Sequence, residues 1–334
     1  MKRKKIDIQD IVPFASFIVI FAFFEIASGG KMLSAFNLSL LVDQSVMTIV
    51  VGCGVLFVVA QGSIDLSVGV NLAFAGVIGT WAANAGGAIL FIPVTLIAAL
   101  IVGIINGVIV SRFKVPSFML TIAMLIGIRG VVNYIQTIIG TEYIPDSMTV
   151  LGQPAIRYTA FVVIVLAMIY VFEFTKAGRY SKAIGENETA AKSVGVPVQL
   201  MKVVAFAISG LMVGFGALFS LSSVGGTSMQ MGVFFEMKVA MAIFLGGVLV
   251  TGGTSAKLYK VLLGSFSITI IVNGLALIGL SETQYSQTIE GILLLLILFV
   301  TILASKKNRR TAKTLPDDPD ATPAVKVSDQ QHLT

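Results

Sequence analysis

The sequence predicts an all-α, polytopic membrane protein of about ten transmembrane helices between residues 11 and 304, and three observations predict it. Hydrophobic residues make up 56% of the 334 and charged residues only 12%, roughly half the charged share of an ordinary soluble domain. Mean hydropathy is +0.94. Apolar runs of about 20 residues, the length that crosses a bilayer as a helix, recur along nearly the whole chain. They are continuously apolar rather than alternating every second residue, which argues against a β-barrel.

The runs fall at 11–29, 44–60, 67–84, 89–110, 117–138, 158–173, 201–221, 236–250, 258–280 and 286–304. A short cytoplasmic segment, 1–10, carries "KRKK" before the first run. That basic start, with "IASGG" after the run, also has the outline of a cleavable signal peptide. The run is long for one, and Glu25 sits late within it, so a retained span is the expectation. Only a few residues separate the second and third runs, which leaves room for a re-entrant or tilted segment. With the N-terminus in the cytoplasm, the inner side holds "KRKK", Arg112, Lys114, Lys176, Arg179, Lys182, Lys192, Lys202, Lys257, Lys260 and "KKNRR". Outside there remain essentially Lys31 and Arg157. The basic bias follows the positive-inside pattern. Both termini are then cytoplasmic, in agreement with an even number of spans. The tail 305–334 is polar and rich in Pro and Asp, and disorder is expected there.

Several chemistries are excluded. The single cysteine, Cys53, lies in an apolar run, so no intrachain disulfide forms. The single histidine, His332, lies in the tail, so neither a Cys/His metal cluster nor a histidine-based triad is available. No resident metal or cofactor is expected. The net charge of +6 is loop bias rather than a nucleic-acid surface. Intramembrane charge is sparse: Glu25 and Arg129, with Glu236, Lys238 and Glu290 near span ends. A dense proton relay is therefore not expected. "GGVLVTGGTS" (246–255) matches the first half of a phosphate-binding loop, but Gly253 stands where the lysine must be. It reads as a flexible Gly/Thr turn, and the chain is not expected to hydrolyse ATP by itself.

One loop is punctuated like a helix. Asn187 is a good N-cap, Glu188 complements the positive helix end, and "ETAAKS" follows. Gly195 is placed for a left-handed C-terminal cap, and Pro197 prevents continuation. One or two turns result, with Ala190 and Ala191 as a small, smooth face. So short a helix is marginal alone in water. It must pack on its own protein or dock on a partner.

"GRYSKAIGENETAAKSVGVPV" resembles the coupling segment of permease subunits of ABC importers. The matching positions are Gly185, Glu188, Ala190, Ala191 and Gly195, with Thr189 intervening. More narrowly, residues 45–300 resemble the ribose-type sugar permeases, through "QGSIDLSVG", "KVPSFMLTIAMLIGIRGV" and "VNGLALIG" in the family's order. The resemblance implies a permease subunit of an ATP-driven importer in the inner or plasma membrane. Its substrate would be a monosaccharide, a ribose-like pentose or a hexose, delivered by an extracytoplasmic binding protein. A separate ATP-binding cassette subunit, holding ATP and Mg, would dock at 176–197. A second permease, identical or different, would complete the pathway. A nucleoside is the alternative within the resemblance; an ion-coupled secondary transporter and a channel or scaffold are the rivals outside it. Two departures stand out. "GGVLVTGG" lacks two hydroxyls of the commoner pattern, and "FEMKVAM" has Lys238 where relatives usually carry an aspartate. Glu236 and Lys238, at the outer end of a span, are candidate contacts for the binding protein or substrate.

Candidate path or gating residues follow. Asp65 and Ser67 sit in "GSIDLSVG" between two spans, and Asp65 either caps the third span or meets substrate, the cap being the preferred reading. Arg129 lies within the fifth span with Asn133 one turn later on the same face. It either snorkels outward, pairs with a carboxylate or lines the path. "IINGV" and "IVNGL" place Asn106 and Asn273 in corresponding positions of two five-span halves, which an odd span count would relate by inversion. Glycines at such places more often permit close helix packing than bind ligand.

Overall fold

The computed structural model describes residues 8–280 and seven further residues between 288 and 299. Most of the run expected at 286–304, Glu290, the basic terminal clusters and the tail with His332 lie outside the described residues. Among the described residues there is no strand, only an isolated bridge between Tyr143 and Gly226.

Eleven α-helices occur within 8–280: α1 (Ile8–Ala27), α2 (Ala35–Ala60), α3 (Val68–Gly86), α4 (Phe91–Phe113), α5 (Ser117–Ile139), α6 (Pro154–Phe174), α7 (Lys176–Glu186), α8 (Glu188–Ser193), α9 (Val198–Val224), α10 (Phe235–Leu245) and α11 (Leu258–Leu277). Seven of them, α2 to α6, α9 and α11, are long and apolar enough to cross a membrane. α1 carries a shorter apolar stretch, Pro13–Ala27. The chain is thus a polytopic, all-α membrane protein.

Two spans differ from the sequence expectation. The run expected from residue 44 begins as helix at Ala35, where Ser34 Oγ accepts the Asn37 N–H at 3.3 Å. The polar residues of this added length find partners both near and far along the chain. Asn37 donates to the Met32 carbonyl at 3.1 Å. Asp43 receives the Arg157 guanidinium at 3.2 Å and the Tyr158 hydroxyl at 2.7 Å. The run expected at 236–250 is the 11-residue α10. At 1.5 Å per residue it covers about 16 Å, roughly half of a hydrocarbon core. Gly246 and Gly247, the latter with φ +82°, end it, and 246–257 is a compact turn with one short 3₁₀ segment, Gly253–Ser255, rather than α-helix.

The core sits where α2 and α9 cross. α9 packs along α4 as well as α2, and α11 packs along α2. α3 pairs with α4, and α10 with α11; α3 also touches α9, and α10 touches α2. Exchanging α2, α3 and α4 for α9, α10 and α11 maps this set of contacts onto itself. The closest approach is made by glycine. A Cβ on Gly103 would lie 3.0 Å from the Gly210 Cα, and one on Gly210 would lie 3.0 Å from the Gly103 Cα. Gly107 is likewise set against the Val203 backbone. Small residues let apolar helices meet backbone to backbone, where dispersion replaces the missing hydrophobic drive.

Candidate functional site

Two regions hold the residues singled out by the sequence: one end of the bundle, where α7 and α8 sit, and its interior, where α3 and α10 begin.

At the first, Thr175 Oγ1 accepts the Ala177 N–H at 3.2 Å and so caps α7, a helix that precedes α8 within the 176–197 segment. Asn187 Oδ1 accepts the Ala190 N–H at 3.0 Å and starts α8. Gly195, at φ +85°, donates to Lys192 O at 3.0 Å, and Val196 donates to Ala191 O at 3.0 Å. These bonds satisfy the terminal carbonyls that a six-residue helix would leave open. Ala191, Ile184, Val196 and Val198 form a small apolar cluster with Tyr180, Ala183 and Met201 around it. The two alanines therefore do not share a face: Ala191 is buried in this cluster, and Ala190 is exposed. The reason is their 100° separation around the helix, which lets only one point at the protein. Glu188 pairs with Lys202 at 2.9 Å, tying α8 to α9. Gly185 faces inward, against the Ala60 carbonyl and the Gly253 amide, where a Cβ has no room. Open space surrounds Gly195.

In the interior, residues 61–67 leave α2 and turn back among the helices. Asp65 lies beside Ser209, eleven residues and thus about 16 Å along α9 from its start near α8. The Asp65 carboxylate accepts three hydrogen bonds: from the Ser67 N–H at 3.0 Å, the Ser67 hydroxyl at 2.6 Å and the Ser209 hydroxyl at 3.1 Å. Ser67 is the N-cap residue of α3, so the carboxylate acts on the cap residue's own amide, not on those of the first helical turn. Asn106 Nδ2 donates to Ser67 Oγ at 2.8 Å, and Asn71 Nδ2 to Ala99 O at 3.1 Å. The Ser67 hydroxyl proton is already committed to Asp65, so Asn106 must present its NH₂ group. Its Oδ1 consequently has no partner, nor has that of Asn71. Asp65, Ser67, Asn71, Asn106 and Ser209 are all at most 6% exposed.

The start of α10 meets the start of α3 here. Gly69 is in van der Waals range of the Gly232 carbonyl and the Glu236 carboxylate, leaving no space for a side chain. Glu236 is buried. Arg129 donates from Nη1 to Met231 O at 2.9 Å and interacts electrostatically with Glu236. Lys238 is half-buried on α10. Asp65, Ser67, Asn106, Arg129 and Glu236 thus converge on the two helix starts. Asn133 does not: it lies exposed on α5, beyond Gly127 and Gly130, which have open space around them. Asn273 is buried separately in α11, again with an unpartnered Oδ1, and Gly274 after it packs on the Phe24 ring. The sequence reading missed Ser209, Asn71 and Glu186. A buried Ser beside Gly210 in an otherwise apolar run was the one signal for the first. Asn71, a polar residue within the apolar run 67–84, carried the same kind of signal, and nothing local marked Glu186.

Residues 37–298 match the model of the family described as branched-chain amino acid transport system / permease component. The xylose transport system permease protein XylH of Haemophilus influenzae is 28% identical, over 92% of this chain and 99% of that protein. The ribose import permease RbsC of the same organism is 30% identical, over 78% of this chain and 83% of its own length. The autoinducer 2 import system permease LsrC of Photorhabdus luminescens is 28% identical, over 78% and 80% respectively. No solved structure matches. With the match covering most of the described helices, the chain belongs to the branched-chain amino acid transport system / permease component family of membrane permeases.

Proposed function

We propose that this chain is the membrane permease subunit of an ATP-driven importer and that it carries a monosaccharide. The observation that carries the first half is α8: a capped helix, fixed from behind by an apolar cluster, that turns Ala190, Thr189 and Val194 outward. A helix this short gains stability only by packing, and here the packing leaves a smooth, preformed face for another protein. Val194 is 80% exposed, an apolar side chain poised for contact. The partner is an ATP-binding cassette subunit, with ATP and Mg held there and no cofactor in this chain. The α7–α8 end and both termini are cytoplasmic, in keeping with the basic residues gathered there. At the opposite end an extracytoplasmic binding protein delivers substrate, with Glu236 and Lys238 nearest to its route.

The substrate class rests on the names of relatives that import xylose, ribose and, in Rhizobium meliloti, fructose. The pathway lies between two permeases along the open face of α5, where Arg129, Gly127, Gly130 and Asn133 place polar and small groups in an otherwise apolar surface. A polar Asn facing lipid is costly, so a second permease or a water-filled path is its natural neighbour. Asp65, Ser67, Asn106 and Asn273 act from within the bundle, shaping the helices that line this path.

The test is purification of the tagged chain from its membranes in mild detergent, followed by ATP hydrolysis measurements. Wild type should bring down an ATP-binding subunit and hydrolyse ATP. Ala190→Arg, which alters only the outward face, should lose both, while remaining monodisperse by size exclusion. A wild-type chain that recovers no ATPase, yet takes up sugar on an ion gradient, would replace this reading with a secondary transporter.

A further inference from the structure

The Gly/Thr turn at 246–257, which no phosphate chemistry claims, has a mechanical place. Its backbone presses on two neighbours at once. Gly252, at φ +73°, lies against the carbonyls of Val59 and Ala60 at the end of α2, and Gly253, at φ +71°, lies against the Glu186 side chain. A Cβ on Gly252 would strike the α2 backbone, and one on Gly253 would push the Glu186 carboxylate aside. Glu186, the last residue of α7, accepts two hydrogen bonds on one carboxylate oxygen: the Thr254 N–H at 2.7 Å and the Thr254 hydroxyl at 2.6 Å. The turn is stiff in itself. Ser255 Oγ donates to Gly252 O at 2.7 Å and accepts from the Leu249 N–H at 3.0 Å. α7 is held on its other flank by Lys182, paired with Glu173 at 2.6 Å, while Glu173 also accepts from the Leu258 N–H at 3.4 Å, where α11 starts.

A packed interface of backbone on backbone transmits displacement because it has no slack to absorb it. α10 ends and α11 begins at this turn, so a shift of the turn moves both. We infer that Glu186 is a positioning residue that latches the turn to α7, so that displacement of the α7–α8 segment is passed to α10 and α11. This rests on the coupling reading above. The turn is then the receiving element, and its glycines are what let it fit between the ends of α2 and α7. α2 and α9 are addressed by a separate contact, since Gln61 Nε2 donates both to Ser181 Oγ at 3.0 Å and to Met201 O at 2.9 Å. The α2/α9 pair and the α10/α11 pair thus take their motion from α7 by different side chains.

The experiment uses the assembled importer in lipid nanodiscs, in a Cys53→Ser background, with spin labels at pairs of exposed positions. The pair Lys192→Cys/Thr251→Cys measures slip between α8 and the turn, and Lys31→Cys/Thr251→Cys measures movement of the turn against the far end of the bundle. Distances are read by pulsed EPR with and without ATP and vanadate. In wild type the first distance should hold while the second changes. In Glu186→Ala the first should change and the second should shrink in response by about twofold or more. Glu186→Gln keeps an oxygen acceptor for Thr254 and should restore the wild-type pattern. Glu186→Leu, which keeps the bulk and removes the acceptor, repeats the test should Glu186→Ala fail to fold, and Thr254→Val, which keeps the backbone N–H bond, should fall between wild type and these variants. Glu186→Ala or Glu186→Leu behaving as wild type in both pairs overturns the latch, with ATP still driving the far-end change. If ATP alters no distance in wild type, the coupling reading falls and the latch with it.

Discussion

Asp65 distinguishes a structural carboxylate from a transporting one, and the geometry sets the expected size of each substitution. Asp65→Ala removes the acceptor of the Ser67 N–H, the Ser67 hydroxyl and the Ser209 hydroxyl, all inside a site at most 6% exposed. A buried donor left without an acceptor costs about 1–3 kcal/mol, and partial rearrangement offsets some of that. The loss should therefore be about 3–5 kcal/mol. Asp65→Asn keeps one oxygen for Ser67, and its new NH₂ group donates to the Ser209 oxygen in place of accepting from it. Its cost should be about 1 kcal/mol. Ser209→Ala leaves one carboxylate oxygen short of its donor and should fall near 1–2 kcal/mol. The assay is unfolding in SDS-containing mixed micelles, followed by circular dichroism, with sugar uptake measured alongside in proteoliposomes. Asp65→Asn should retain most of the uptake. Equal stability of Asp65→Ala and Asp65→Asn would refute the hydrogen-bond accounting. Loss of uptake in a fully stable Asp65→Asn would show that the negative charge itself serves transport.

Gly210→Leu drives a branched side chain into the Gly103 backbone and should prevent α4 and α9 from closing; little monodisperse protein should survive size exclusion, whereas Gly127→Leu, with open space around it, should remain folded. Gly195→Ala meets no neighbouring atom but must hold φ +85°, so it should cost about 1 kcal/mol and raise protease sensitivity of 176–197 without abolishing assembly. Asp43→Ala strips the partner of Arg157, whose side chain is 14% exposed, and should lower the thermal midpoint of the purified protein. Arg157→Ala should be no worse, because Asp43 is the more exposed of the two at 38%; a milder effect of Asp43→Ala would contradict that ranking.

Much of this protein is written locally. The long apolar runs became helices because a continuously apolar segment in lipid satisfies its backbone within itself only as a helix, and the boundaries of α3, α4, α5 and α11 follow the sequence closely. The caps of α8 were equally legible: Asn187, Gly195 and Pro197 each act through bonds or dihedrals within a few residues. Hydropathy misjudged α2 and α10 for opposite reasons. Asn37 and Asp43 lower the apolar count of a true helix; Asn37 is satisfied by Met32 nearby, but Asp43 depends on Arg157 and Tyr158, more than 110 residues away. Around α10, apolar residues continue through Val248 and Val250, but Gly246 and Gly247 let the chain leave the helix, and the α7 and α2 ends hold the turn that follows.

What the sequence determined by itself is the class of the molecule, the punctuation of α8 and the family motifs that place it among permeases. What only the tertiary structure decided is which residues meet. Asp65 finds Ser209 across 144 residues, and Glu186 finds Thr254 across 68. Periodicity tells which face of a helix is apolar but not which neighbour it will meet. In a chain apolar on nearly every face, that choice falls to the small residues. Where Gly103 meets Gly210 and Gly69 meets Gly232, the absence of side chains sets how closely the helices approach, and the polar groups that come within bonding distance follow from that approach.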